Sequence, residues 1–171
     1  GTGSESERPV QPEALPDRFE AGSHNAPGIA GLCAAIEWIL DRGVATLRRH
    51  ELDLTERMVE RLDDIPGLTW FGPRESRRRV GVFSVQINGL EPNELSALLE
   101  SEFGILSRSG LHCAPLAHQT LGTLATGGTT RLSFGPFLQL SDVDAAADAL
   151  ATIARSFAVR PPQPARTGIG A

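Results

Sequence analysis

One stretch organises this chain: residues 108–118 read Arg-Ser-Gly-Leu-His-Cys-Ala-Pro-Leu-Ala-His. The stretch brings a guanidinium, an imidazole and a thiol close to a predicted helix start. Pro115 suits the first turn of a helix, because the backbone N–H that proline lacks would have no acceptor within the helix at that position. Cys113 is therefore predicted to lie at or just before the helix cap. At that place Arg108, His112 and the positive end of the helix would all favour the thiolate form of the cysteine.

The same residues have two other interpretations. A free cysteine is commonly a small, buried, inert apolar residue, in which case His112 is an imidazole at the surface. A metal-binding module could use His112, Cys113, His118 and His24, but these ligands are few and no Cys-x-x-Cys pair accompanies them, so we predict no metal site. His118 lies five residues beyond Cys113 and is expected to be structural.

Composition limits the function classes. The chain has 171 residues, 40% of them hydrophobic, and a net charge of −5, which is typical of a soluble protein with one real core. Basic residues are outnumbered and scattered, so we predict no nucleic-acid partner, and the arginine run at 77–79 is expected to be a solvated loop or strand edge. The sequence has neither a long apolar run nor a signal-peptide pattern, so we expect no membrane contact and a cytoplasmic location.

Hydrophobic patterning predicts three segments. Residues 1–27, with several prolines and no periodic pattern, read as an extended arm that ends in a turn. Residues 28–160 form the folded domain, and the Pro- and Gly-rich residues 161–171 read as a disordered tail. A first helix over 29–40 is apolar on most sides, so it is expected to be buried, with Cys33 packed inside it.

The remaining pattern predicts a mixed α and β domain. Alternating apolar residues indicate strands near 68–71 and 83–87, with a brief strand at 105–106 and another over 130–134. Four more helices are predicted. The first ends near residue 62, the second spans 92–103, the third begins at 114, and the fourth begins at the capping pair Ser141 and Asp144. This order predicts an α+β fold with a small, mostly antiparallel sheet covered by helices.

Four stretches, in order, resemble the cysteine desulfurases and selenocysteine lyases of the class V aminotransferase family. They cover the chain from its first residue to about residue 143, and they are Gly1–Ser4, Arg18–Asn25, Arg108–Pro115 and Gly128–Gly135. The last of the four reads Gly-Thr-Thr-Arg-Leu-Ser-Phe-Gly. The resemblance implies the small C-terminal domain of a fold-type I enzyme that depends on pyridoxal 5′-phosphate (PLP).

The resemblance also implies residue roles. Cys113 is expected to attack the sulfur of L-cysteine, giving L-alanine and a persulfide on Cys113. His112 would exchange a proton or orient the loop. Arg131, together with Arg108, would hold the substrate carboxylate, because a planar fork of donors binds a carboxylate through two hydrogen bonds.

The cofactor and its partners are implied in the same way. Gly22 and Ser23 are expected to help hold the phosphate of the partner subunit's PLP in a homodimer. All 16 basic residues of the chain are arginine. Since an arginine cannot replace the lysine that holds PLP as a Schiff base, we expect the chain to be the C-terminal portion of a longer enzyme.

Two departures from the family pattern leave alternatives open. The better-known desulfurases have a second histidine where Leu111 stands, and a Thr-Pro where Ser23-His24 stands. A selenocysteine lyase, or another β-eliminating enzyme of this family, therefore remains an alternative. So does a non-catalytic module that carries sulfur or binds partners. For the desulfurase, the resemblance also implies a sulfur-acceptor protein as a partner.

Overall fold

A computed structural model describes residue 5, residues 7–20 and residues 22–158. The predicted tail at 161–171 lies outside these residues. The chain divides into two compact units, residues 1–46 and residues 47–171.

The first unit contains turns and one long helix. Backbone hydrogen bonds from Arg18 to Ala14, and from Phe19 and Glu20 to Pro16, fold the second half of the arm into turns instead of an extended strand. Helix α1 spans Ala26–Arg42, and its N-cap Asn25 accepts a hydrogen bond from the Gly28 N–H.

The described residues do not bury α1, which was predicted to be buried on most sides, in the family against a large domain outside this chain. Every residue of α1 is exposed or only partly buried, and Leu32 keeps 59% of its surface accessible. Cys33 is likewise exposed. Helical periodicity shows where the apolar residues lie, but it does not show whether anything covers them.

Four antiparallel strands form the sheet of the second unit, in the order β1-β2-β4-β3. They are β1 Leu68–Phe71, β2 Val82–Ile87, β3 Arg108–Gly110 and β4 Thr129–Ser133. The strand expected at 105–106 lies instead at β3, because this edge strand is defined by pairing of Arg108, Ser109 and Gly110 with β4.

The helices are α2 Val44–Asp63, α3 Pro92–Phe103, α4 Pro115–Leu121 and α5 Leu140–Ala158. Gly104 ends α3 in the left-handed conformation predicted for it, and its N–H bonds to the carbonyls of Leu99 and Glu100. None of the described helices is both long and apolar enough to span a membrane.

One hydrophobic core lies between the helices and a single face of the sheet. Strand β2 alternates, so that Phe83, Val85 and Ile87 are buried while Ser84 and Gln86 point the other way. The core is completed by apolar residues of α2, α3, β4 and α5, which include Leu54, Met58, Leu62, Leu95, Leu99, Leu132, Val143 and Leu150. The architecture is therefore an α+β layer with helices on one side.

Ion pairs join α2 to α5. Arg57 donates to both carboxylate oxygens of Asp144, at 2.8 and 3.1 Å, and Arg61 donates to Asp144 at 3.0 Å. The hydrogen bond and the charge of Arg57 hold the pKa of Asp144 below its ordinary value. Asp144 is thus not the capping residue predicted for α5; the Asp142 carboxylate accepts from the Gln139 N–H instead.

The arginine run at 77–79 is solvated only in part. Arg77 and Arg78 lie in an exposed 3₁₀ turn, but Arg79 is buried. Its guanidinium lies 3.8 Å from the ring centre of Phe83 and donates to the carbonyls of Pro73 and Val82. Arg79 is therefore a core residue, which a run of like charges does not reveal.

Candidate active site

The β3–α4 loop carries the candidate nucleophile. Cys113 immediately precedes Ala114, the N-cap of α4, as predicted. Its side chain is exposed, so the interpretation of Cys113 as a buried apolar residue is wrong. His112 and Cys113 both have left-handed backbone conformations, with φ of 52° and 59°. Such conformations are uncommon for residues other than glycine, and they concentrate at functional loops.

Arg108 organises this loop through its side chain and its backbone. Its Nη2 lies 3.6 Å from the Sγ of Cys113, so a permanent positive charge stands next to the thiol. Its carbonyl oxygen lies 3.0 Å from Nε2 of His112. Because a carbonyl only accepts, Nε2 carries the hydrogen in this bond, and Nδ1 is the basic atom of the neutral ring.

Arg131 lies beside Arg108 on the face of the sheet that points away from the core. Residues paired directly across antiparallel strands project to the same face, and Arg131 is paired with Ser84 on one side and Arg108 on the other. Its Nε is buried and has no hydrogen-bond partner among the described residues. An unsatisfied buried donor in a charged group is costly, so this Nε lacks the acceptor that such a group normally has.

The pKa of His112 is lowered. Burial is the main cause, and the positive charges of Arg131 and Arg108 and the ring of His118 act in the same direction, against the hydrogen bond to the Arg108 carbonyl. The ring is therefore neutral at neutral pH and able to accept a proton at Nδ1.

Close packing of Gly128 on Gly110 positions the loop that carries Cys113. Gly128 has a φ of +98°, and a Cβ added there would lie within 3.0 Å of the carbonyl of Gly110 and 3.0 Å from the N of Leu111. The Thr-Gly-Gly turn before β4 thus packs its backbone directly on the start of the Cys113 loop. Only glycine permits this approach.

The sequence predicted a structural role for His118 but did not identify its partner, Thr123. His118 is 5% exposed and its ring centre lies 5.8 Å from that of His112. Its Nδ1 lies 2.7 Å from the Oγ1 of Thr123, which is 3% exposed. A lone histidine on a short helix gives no sequence signal for such a contact.

The site residues predicted from the sequence fall in both units of the chain. Arg108, His112, Cys113 and Arg131 come together in the second unit, as the geometry above describes. Gly22 and Ser23 belong to the first unit; both are exposed, and Gly22, three residues before the N-cap of α1, has a φ of +90°. Within the described part of the chain, three or more His, Cys, Asp or Glu residues do not come together as metal ligands would.

Comparison with known sequences gives a family match over most of the chain. The family described as Aminotransferase class-V matches residues 4–146. A probable cysteine desulfurase of Pyrococcus abyssi is 36% identical over 129 residues, which are 75% of this chain and 31% of that protein. Cysteine desulfurase CsdA of Escherichia coli is 33% identical over 139 residues, covering 81% and 32% of the two chains. This chain thus spans about a third of the length of the curated relatives it matches.

Solved structures agree with this match. The apo cysteine desulfurase of Thermococcus onnurineus is 33% identical and superposes with a TM-score of 0.75 over 86% of this chain and 35% of that one. The S-sulfonic acid form of Escherichia coli CsdA is 30% identical, with a TM-score of 0.68 over 86% and 35% of the two chains. The chain therefore belongs to the class V aminotransferase family, and it has the α+β fold of the small C-terminal domain of a fold-type I PLP-dependent enzyme.

Proposed function

We propose that this chain is the sulfur-accepting part of a PLP-dependent cysteine desulfurase, in which Cys113 takes the sulfur of L-cysteine as a persulfide and L-alanine is released. The observation that carries the proposal is the exposed Cys113 thiol, held in a left-handed backbone conformation 3.6 Å from the Arg108 guanidinium. An exposed cysteine beside a fixed positive charge fits a nucleophile better than a structural residue.

The reaction balances on this thiol. The Sγ of Cys113 forms a bond to the substrate sulfur as the substrate's carbon–sulfur bond breaks. The electron pair of the broken bond leaves with the carbon, and a proton on that carbon completes L-alanine. The proton lost by the Cys113 thiol can pass to Nδ1 of His112, which the bond from Nε2 to the Arg108 carbonyl leaves as the basic atom. PLP, when bound, supplies the electron sink that allows the carbon–sulfur bond to break.

Arg131 suits the substrate carboxylate. Its buried Nε has no partner among the described residues, and Nε together with one terminal nitrogen forms a fork of donors for a carboxylate. Arg108 is directly paired with Arg131 across the strands and contributes positive charge to the same face. Arg131 would thus hold L-cysteine while Arg108 stays next to the attacking sulfur.

The residues of this chain fit only part of a PLP site. The hydroxyl of Ser23, exposed after Gly22, suits a phosphate oxygen of PLP in the partner subunit of a homodimer. The 171 residues contain no lysine for the covalent bond to PLP. We infer that a lysine outside these residues completes the site, and that a sulfur-acceptor protein then discharges the Cys113 persulfide.

The two cysteines provide a matched test. In the PLP-loaded enzyme that contains this chain, Cys113→Ala is expected to abolish L-alanine formation from L-cysteine and to leave the PLP absorbance intact. Cys33→Ala, which changes the other exposed thiol, is expected to retain turnover. Normal turnover by the Cys113 variant would remove Cys113 from the reaction. Repeating both assays with L-selenocysteine shows which of the two amino acids is preferred.

A further inference from the structure

His118 is a buried histidine that the proposed reaction does not use. It lies on α4, five residues beyond the nucleophile, and is only 5% exposed. Its ring faces the ring of His112 at a centre-to-centre distance of 5.8 Å and a tilt of 32°. At this distance the two imidazoles are in the range of packed aromatic pairs. His118 thus supports the residue that directly precedes Cys113.

Thr123 fixes the orientation of the His118 ring. The Thr123 Oγ1 lies 2.7 Å from Nδ1 of His118 and 3.4 Å from the His118 carbonyl. The hydroxyl has one hydrogen, so when it donates to the carbonyl it accepts from Nδ1–H. Both residues are buried, which makes this bond costly to lose and rigid when present.

Thr123 is itself tied to the turn that supports the loop. Its carbonyl accepts from the N–H of Gly128 at 2.9 Å and from the hydroxyl of Thr126 at 3.0 Å. Gly128 in turn packs on the backbone of Gly110, at the start of the Cys113 loop. The loop is therefore held at both ends, by backbone packing at Gly110 and by the His118 ring at His112.

We propose that His118, held by Thr123, is a positioning residue that sets the orientation of His112 and thereby of the Cys113 loop. The inference rests on the proposed function for the identity of the nucleophile. His118 acts through His112, whose ring it faces. Loss of the support frees the His112 ring, exposes it to water, and weakens proton transfer without changing substrate binding.

A threonine-to-valine change isolates this support. Thr123→Val removes the hydroxyl at nearly constant volume, and Thr123→Ser restores it. Thr55→Val is the matched control, because Thr55 is also fully buried, with a 2.7 Å hydroxyl bond to the Glu51 carbonyl, but lies on α2. His118→Gln gives a second variant, in which the ring that faces His112 is absent.

The primary readout is the pKa of His112, measured by NMR titration of the histidine rings in the full chain. The charged and titratable groups that act on it are Arg108, Arg131 and His118. Since burial is the main reason that this pKa is lowered, Thr123→Val and His118→Gln are expected to raise it toward the ordinary value. Thr123→Ser and Thr55→Val are expected to leave it at the wild-type value.

The second readout is the kinetics of the PLP-loaded enzyme. Thr123→Val is expected to lower kcat for L-alanine formation by about tenfold with little change in KM, as befits the loss of a positioning hydrogen bond. An unchanged His112 pKa in folded Thr123→Val and His118→Gln would overturn the positioning role while leaving the Cys113 proposal intact. Full turnover by Cys113→Ala would instead refute the proposed function, and the NMR result would still decide the role of His118.

Discussion

Replacing Gly128 with alanine should displace the nucleophile loop. The added Cβ would lie within 3.0 Å of the carbonyl atoms of Gly110, where a real Cβ needs at least 3.4 Å for ordinary contact. The backbones of β3 and of the Gly-Gly turn must therefore separate by roughly 1 Å, since non-bonded carbon atoms prefer about 3.5–4.0 Å. The displacement falls at the start of the loop that ends at Cys113.

The neighbouring glycine separates this clash from backbone strain. Gly127 also has a positive φ, +75°, but a Cβ there would meet only a Glu91 carboxylate oxygen, at 3.7 Å. Each alanine variant pays about 1–2 kcal/mol of unfolding free energy for its left-handed backbone. Any further loss in Gly128→Ala is therefore due to the contact with Gly110.

The assay is L-alanine formation from L-cysteine by the PLP-loaded enzyme, with urea unfolding of both variants. A misplacement of about 1 Å at a reacting group costs about 100-fold in rate. We expect a loss of this size for Gly128→Ala and a loss below about threefold for Gly127→Ala, whose strain is remote from the reacting atoms. Equal activities and equal stabilities of the two variants would refute the argument that Gly128 positions the loop.

Three further predictions follow from charge and packing. Arg131→Lys should raise the KM for L-cysteine by about tenfold or more and affect kcat less, because a lysine cannot form the two-pronged bond to a carboxylate; steady-state kinetics showing an unchanged KM would argue against this role. Leu99→Ala, in the fully buried core, should lower the free energy of unfolding by about 2–5 kcal/mol, whereas Leu106→Ala, at an exposed position, should lower it by less than about 0.5 kcal/mol. His112 should make folding pH-dependent, because burial and the charges of Arg131 and Arg108 lower its pKa in the folded protein below 6.5. Between the folded and the unfolded pKa the unfolded chain binds more protons, so the protein loses stability as pH falls. Urea titrations at several pH values should show that His112→Asn reduces this slope, and an identical slope would contradict the prediction.

Local signals predicted the elements whose form depends on local sequence. The alternation along β2, the glycine at 104 that ends α3, and the proline at 115 that begins α4 each act within a few residues, and each prediction is confirmed. Strand β4 was predicted one residue late, which is within the usual uncertainty of an element boundary. The antiparallel sheet covered by helices follows from the order of these elements.

Long-range pairing decided the features that the sequence did not reveal. Leu106 is apolar yet exposed, and the edge strand forms two residues later, where Arg108 can pair with Arg131. Asp144 looked like a cap residue, but Arg57 and Arg61 of α2 bind it. Partners of this kind lie more than 20 residues away, so no local pattern contains them.

The candidate site was predictable in composition but not in geometry. The spacing of Arg108, His112 and Cys113 indicated their proximity, and the structure gives the distances and the left-handed backbone of the last two. The contact between His112 and His118 required the structure, because it depends on how α4 packs against the loop.

The identity of the sulfur-accepting residue is tested most directly by peptide mass spectrometry of the PLP-loaded enzyme after a single turnover with L-cysteine. After rapid alkylation, the account predicts one extra sulfur atom on the peptide that contains Cys113 and none on the peptide that contains Cys33. Formation of L-alanine at the full rate with no extra sulfur on Cys113 would contradict it.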